Sequence, residues 1–133
     1  MKDKLYHNPK LEVRKSPIHG YGVFAKEDIK GGELLEECHY CEVEGYIDDD
    51  DIFSYAFSFI GGELSNGQPK HRYFVVFGYA SLYNSAVKFE DRSVYWEFKK
   101  HISHQLFEFS AIKDIKKDEE LLQWYPAALD INK

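Results

Sequence analysis

The feature that most limits what this chain can fold into is its punctuation. Short runs rich in Val, Phe, Tyr and Ile are cut at close intervals by Gly, Pro and Asp clusters, and no long amphipathic helix stands out. The runs Leu11 to Lys15, Gly22 to Ala25, Leu34 to Val43, Tyr73 to Phe77, Val94 to Phe98 and Gln105 to Ile112 read as strands. Turns are predicted at Lys30-Gly31-Gly32, Gly61-Gly62, Ser65 to Pro69 and Lys116 to Asp118, where Gly or polar side chains satisfy the tight backbone. Asp48 to Asp51, ahead of Ile52 to Tyr55, either caps one short helical turn or forms a solvated loop. The expectation is a mostly β fold of short strands with one or two helical turns.

With 133 residues the chain has room for one domain and one core. It is 17% aromatic, with ten Tyr and ten Phe, which leaves rings over to line a groove once a core is filled. A net charge of −6 and no Lys/Arg cluster longer than two residues argue against a domain that grips nucleic-acid phosphates. An acidic surface suits a basic partner such as a lysine-rich peptide. The start of the chain has no apolar run fit for a signal peptide, and no stretch is long enough to cross a bilayer, so a soluble, intracellular protein without a membrane partner is expected. Cys38 and Cys41 have the spacing of a redox pair or half a zinc site, but in a strand residues three apart face opposite ways. His101 and His104 are too close together for the usual finger spacing, and no metal is expected.

Three stretches carry candidate chemistry. Ser16 to Ala25 holds Gly20 and Gly22 one residue apart, which suits either a hairpin turn or a close backbone approach to a ligand. The same residues fit the dinucleotide pattern Gly-x-Gly-x-x-Ala, but no crossover helix fits before Gly31-Gly32, so that reading is rejected. Phe77 to Ala86 ends an aromatic run in Asn84, an amide that can serve a polar ligand or simply turn the chain. Phe109 to Pro126 runs through Asp118-Glu119-Glu120-Leu121 to Trp124-Tyr125, a pair suited to a core or to chemistry. Asp28-Ile-Lys-Gly-Gly-Glu-Leu-Leu35 is echoed by Asp114-Ile-Lys-Lys-Asp-Glu-Glu-Leu121, which reads as two copies of one turn and not as a repeat protein.

Taken together, in order and spacing from residue 11 to Tyr125, these stretches resemble the SET-domain family, in particular small members without flanking modules. The resemblance implies a SET fold of several small sheets, spanning residues 1–133 as a single domain with its core at 11–126. It implies a protein-lysine methyltransferase that uses S-adenosylmethionine and releases S-adenosylhomocysteine. His19, Gly20, Tyr21 and Gly22 match the family's opening cofactor segment, and Asn84 with Ser85 matches its Asn-His-Ser segment. Tyr125 falls at the catalytic tyrosine, with Tyr83 or Tyr55 as a second hydroxyl that limits how many methyl groups are added. Tyr55, Phe57 and Trp124 would line the lysine channel.

The chain also departs from the family pattern. Ser85 stands where His is expected, Ala86 where Ser is, and Asp118 replaces Gly in the closing turn, where Asp is tolerated. Only eight residues without cysteine follow Tyr125, so no zinc-binding tail is expected and another surface, such as a second subunit in a homodimer, would complete the channel. Two other classes remain open at this point: a degenerate SET-like binding module that keeps the fold and the cofactor but not the activity, and a purely structural β-rich interaction domain.

Overall fold

The computed structural model describes residues 4–43, 57–100 and 105–124. The Asp48 to Asp51 segment, Tyr55, His101, His104 and Tyr125 lie outside these residues. Among the described residues the chain forms β1 (Leu11–Lys15), β2 (Tyr21–Ala25), β3 (Leu34–Cys38), β4 (Tyr40–Val43), β5 (Phe57–Glu63), β6 (Pro69–Val76), β7 (Asn84–Ser85), β8 (Val94–Lys100), β9 (Gln105–Ala111) and β10 (Glu120–Gln123). Single helical turns sit at Ala80–Leu82 and Phe89–Asp91. The strands build three small sheets, in the orders β1-β2-β10-β7, β3-β9-β8 and β4-β6-β5. Among the described residues no helix is long and apolar enough to cross a membrane.

Two sequence expectations need correction. Leu34 to Val43 is not one strand: it breaks at His39, because β3 pairs with β9 while β4 pairs with β6 in another sheet. Gly61-Gly62 is not a turn between strands but lies inside β5, where the pairing with β6 shifts register between Ile60 and Glu63. The glycines mark a bulge, the other common use of Gly in a strand.

Aromatic rings fill the core where the sheets meet. Phe57, Phe74, Phe107 and Phe109 are buried, and half-buried Tyr40, Trp96 and Phe98 pack around them. Phe74 meets Phe107 at 5.3 Å, Phe57 meets Trp96 at 5.4 Å and Tyr40 meets Phe107 at 5.5 Å between ring centroids. Each ring stabilises the fold by about 1.5–3 kcal/mol through burial, with about 0.5–1.5 kcal/mol more from each well-placed ring pair. Much of the aromatic content therefore serves packing.

The echo between Asp28–Leu35 and Asp114–Leu121 extends well beyond one turn. Ile29 and Ile115 exchange both backbone hydrogen bonds at 2.8 Å. Gly32 N donates to Ala111 O as Asp118 N donates to Ala25 O, each at 2.7 Å, and Ala25 N donates to Glu119 O as Ala111 N donates to Glu33 O, each at 3.0 Å. The side chains repeat the exchange: Asp114 accepts from Gly31 N at 2.9 Å and Asp28 from Lys117 N at 2.8 Å. Upstream, Lys26 N donates to Lys10 O at 2.7 Å, and Ile112 N to Ser93 O at 2.8 Å. Two three-stranded units, β1-β2-β3 and β8-β9-β10, thus lock together about an approximate twofold axis, each lending its third strand to the other's sheet. The domain is built on a structural duplication of which the sequence displays only the turns.

Candidate functional site

Lending β10 to the first sheet places it between β2 and the two-residue β7. Glu120 and Leu121 pair antiparallel with Phe24 and Val23, while Leu122 and Gln123 pair parallel with Asn84 and Ser85. Further bonds pin this crossing: Ala86 N donates to Gln123 O at 2.7 Å, and Leu122 N donates to Ser93 Oγ at 3.0 Å. The candidate segments, far apart along the chain, are brought side by side by backbone pairing.

The loop before β2 turns at Gly20, which takes φ +47°, and Ser16 N donates to Gly20 O at 2.7 Å across it. Gly22 serves a different purpose. A β-carbon there would collide with the Glu120 carboxylate and lie 2.9 Å from Asn84 Nδ2, so only glycine admits these two side chains against the β2 backbone. Asn84 Nδ2 donates to Glu120 Oε2 at 2.7 Å, to His19 O at 3.1 Å and more distantly to Tyr21 O at 3.5 Å. Ser16 Oγ donates to both Glu120 oxygens, at 2.8 and 3.0 Å, and receives Ile18 N at 3.0 Å. The result is a half-exposed patch of carbonyl and carboxylate oxygens, a set of acceptors that suits a cationic ligand group.

Sequence reasoning singled out His19, Gly20, Tyr21, Gly22 and Asn84, and the structure joins them. It passed over Ser16 and Glu120, which complete the cluster. Glu120 lies within the closing Glu-Glu-Leu run already noted, but its partners are 36 and 104 residues away, a separation no local pattern reveals. Ser85 contributes its backbone to the pairing with Gln123, and its hydroxyl donates to Ala86 O at 3.0 Å.

Beneath Asn84 a buried polar cluster holds the backbone. Tyr83 is buried, its ring stacked on Phe109 at 5.6 Å and its hydroxyl donating to Glu36 Oε2 at 2.6 Å. Glu36, only 1% exposed, also accepts from Tyr79 N at 3.1 Å, with His7 Nδ1 3.7 Å away. Such a carboxylate persists in a core only because donors converge on it. Burial, with the charge of Glu36 and a hydrogen bond to it, pushes the Cys38 thiol well above its usual range, so Cys38 is no nucleophile. Cys41 is exposed on the next strand, and among the described residues no group of three or more His, Cys, Asp or Glu side chains is placed to hold a metal ion.

The loop that forms the patch exposes Ile18 and Tyr21, the latter at 64%. After β7, Val87 and Phe89 are also exposed, and Trp124, just past β10, meets Phe89 edge-on at 5.8 Å. Phe57 by contrast lies in the core, against Trp96 and Phe109. Tyr55 and Tyr125 belong to the residues not described, although Tyr125 directly follows Trp124 at the end of the β10 run.

The sequence profile of the SET domain matches residues 20–126. No curated protein matches the chain. Among solved structures, the chain is similar to a Plasmodium falciparum protein described as a candidate histone methyltransferase, at 24% identity and a TM-score of 0.67 over 89% of this chain and 94% of that one. The Cryptosporidium protein CpSET8 is similar at 16% identity and a TM-score of 0.61, over 87% of this chain and 57% of the other. A chain of polycomb repressive complex 2 from Chaetomium thermophilum reaches 26% identity and a TM-score of 0.56 over 89% of this chain, which spans 15% of that longer chain.

Proposed function

Because the chain belongs to the SET-domain family, we propose that it is a protein methyltransferase that takes its methyl group from S-adenosylmethionine and gives it to a lysine side chain. The observation that carries this reading is the convergence of His19 to Gly22, Asn84 and Glu120 into one acceptor-rich patch. S-adenosylmethionine is cationic at its ammonium and its sulfonium, so a site of amide, carbonyl and carboxylate oxygens beside exposed aromatic and apolar groups fits its chemistry.

When bound, the cofactor supplies an electrophilic methyl group. The rest is the work of this chain's residues. Asn84 and the carbonyls of the His19–Tyr21 segment would hold the ammonium, while Ser85 would act through its backbone in place of the imidazole common in the family. Tyr125 orients the lysine amine through its hydroxyl, and Tyr55 supplies a second hydroxyl that limits further methylation. Tyr83 has its hydroxyl committed to Glu36 and serves the site by fixing the backbone under Asn84. Trp124 would form an outer wall of the lysine channel, whereas Phe57, packed in the core against Trp96 and Phe109, would act only from behind it. Lysine in water has a pKa of about 10.4, and apolar walls together with the adjoining positive charge lower it so that a neutral amine is available. A basic, lysine-containing protein or peptide suits the net charge of −6, and a second copy of the chain would complete the channel.

Titration calorimetry with S-adenosylmethionine and a radiolabelled methyl assay on core histones test the proposal. Asn84→Ala should weaken cofactor binding, whereas Tyr125→Phe should keep binding and lose most transfer. Full turnover in Tyr125→Phe overturns the mechanism. Binding without transfer in the unmodified protein favours a cofactor-binding module, a reading that Ser85 and Ala86 already support.

A further inference from the structure

The atoms around Asn84 leave its amide one orientation. Glu120 Oε2, His19 O and Tyr21 O all lie against the same end of the side chain, and each is purely an acceptor. The NH2 group must therefore face them, at 2.7 and 3.1 Å for the two shorter contacts. Among the described residues nothing donates to Asn84 Oδ1. Glu120 is itself held: Ser16 Oγ donates to both of its oxygens, and Gly22 leaves the space in which the carboxylate sits.

We propose that Glu120 is a positioning residue, which rests on the cofactor reading above: its carboxylate locks the Asn84 amide with Oδ1 turned outward to accept from the ammonium of the methyl donor. Without that carboxylate only the longer contacts to His19 O and Tyr21 O, at 3.1 and 3.5 Å, keep the NH2 turned inward, and the amide is held less firmly. Asn84 touches the ligand, and Glu120 acts through it. This also accounts for a carboxylate in a crowded spot on a backbone with no room for a β-carbon at Gly22.

The test exchanges donor and acceptor. Asn84→Asp alone sets two carboxylates face to face and should weaken S-adenosylmethionine binding by about a hundredfold at neutral pH, with partial recovery on acidification as the pair shares a proton. Adding Glu120→Gln supplies an amide donor to the new carboxylate, and the double variant should bind more tightly than Asn84→Asp, though less tightly than the unmodified protein because His19 O and Tyr21 O still face a carboxylate oxygen. Both substitutions nearly conserve volume, so folding is retained where Glu120→Ala risks collapse around Gly22. A double variant that binds no better than Asn84→Asp overturns the proposal.

A second readout needs no ligand. In the 15N-resolved NMR spectrum of the unmodified protein, one Asn84 side-chain amide proton should lie downfield and exchange slowly, and Glu120→Gln should alter that signal. Absence of the signature in the unmodified protein overturns the positioning role whatever binds. A normal signature with no S-adenosylmethionine binding overturns the cofactor reading and, with it, the ligand half of this proposal.

Discussion

The corners Ala25–Leu35 and Ala111–Leu121 share one hydrogen-bond frame and part company immediately after it. Each turns through Asp-Ile-Lys, each pairs its isoleucine with the other's, and each enters a strand that crosses to the opposite sheet. In the first corner the strand bulges between Leu34 and Glu36, which turns Glu36 into the core beneath Tyr83. In the second the pairing continues without a bulge, and Glu120, the counterpart of Leu34, meets Asn84. Backbone bonds, which ask little of side-chain identity, hold the duplicated frame. One bulge and one change from Leu to Glu then separate a half whose glutamate is buried under Tyr83 from a half whose glutamate meets Asn84.

The strongest way to break this comparison is to remove the residues at its axis. Ile29 and Ile115 are each 1% exposed, so Ile29→Ala and Ile115→Ala should each destabilise by about 2–5 kcal/mol in urea unfolding, with nearly the same loss. If one substitution is tolerated and the other unfolds the protein, the two corners do not share the burden that their hydrogen bonds suggest.

A smaller effect separates the turns. Gly32 takes φ +89° and Asp118, at the equivalent place, φ +70°. Nothing lies within 4 Å of a β-carbon built on Gly32, so the penalty of Gly32→Ala is conformational alone, about 1 kcal/mol. Asp118→Gly relieves the same strain but gives up the exposed ion pair with Arg14, 3.0 Å away, and should gain less than about 1 kcal/mol. Thermal melts of the two variants should therefore shift in opposite directions. A destabilised Asp118→Gly would mean that the Arg14 contact, and not the backbone, holds the second turn.

The parts of this fold that alternation and turn residues encode were readable in the sequence: β1, β2, β8 and β9 fall on short β-branched or aromatic runs, and both Asp-Ile-Lys turns were visible as an echo. The switch at His39 was not, because a strand that changes partners keeps its strand-like composition while the sheet it joins changes. Nor was the size of the duplication, since its two halves agree in backbone bonds more than in residues. At the site, glycine spacing and an amide after an aromatic run left Gly20, Gly22 and Asn84 open between turn and ligand, and only the resemblance of the three stretches taken together singled them out. Ring content alone could not assign Phe57 to the core, or Tyr83 to a buried carboxylate. Glu120 stayed hidden because its contacts with Asn84 and Ser16 exist only after β10 is threaded between β2 and β7.

The finest distinction between the corners lies at their matched glutamates, Glu33 and Glu119. Burial works to raise the pKa of Glu33, but hydrogen bonds from Asn8, the Lys30 backbone and Lys10, with the Lys10 charge, outweigh it and hold the carboxyl below its ordinary value. Glu119 is exposed. A carboxyl whose folded pKa is depressed adds stability that is present above its unfolded pKa, about 4.3, and disappears as the pH falls through the folded value. Glu33→Gln should therefore cost up to about 1 kcal/mol near neutrality, and its melting curve should approach that of the unmodified protein as the pH drops below about 4. Glu119→Gln should change stability by less than about 0.5 kcal/mol. A Glu33→Gln deficit that persists unchanged at low pH would show that the contact with the Asn8 segment works through shape and neutral hydrogen bonding, and that charge does not distinguish the two corners.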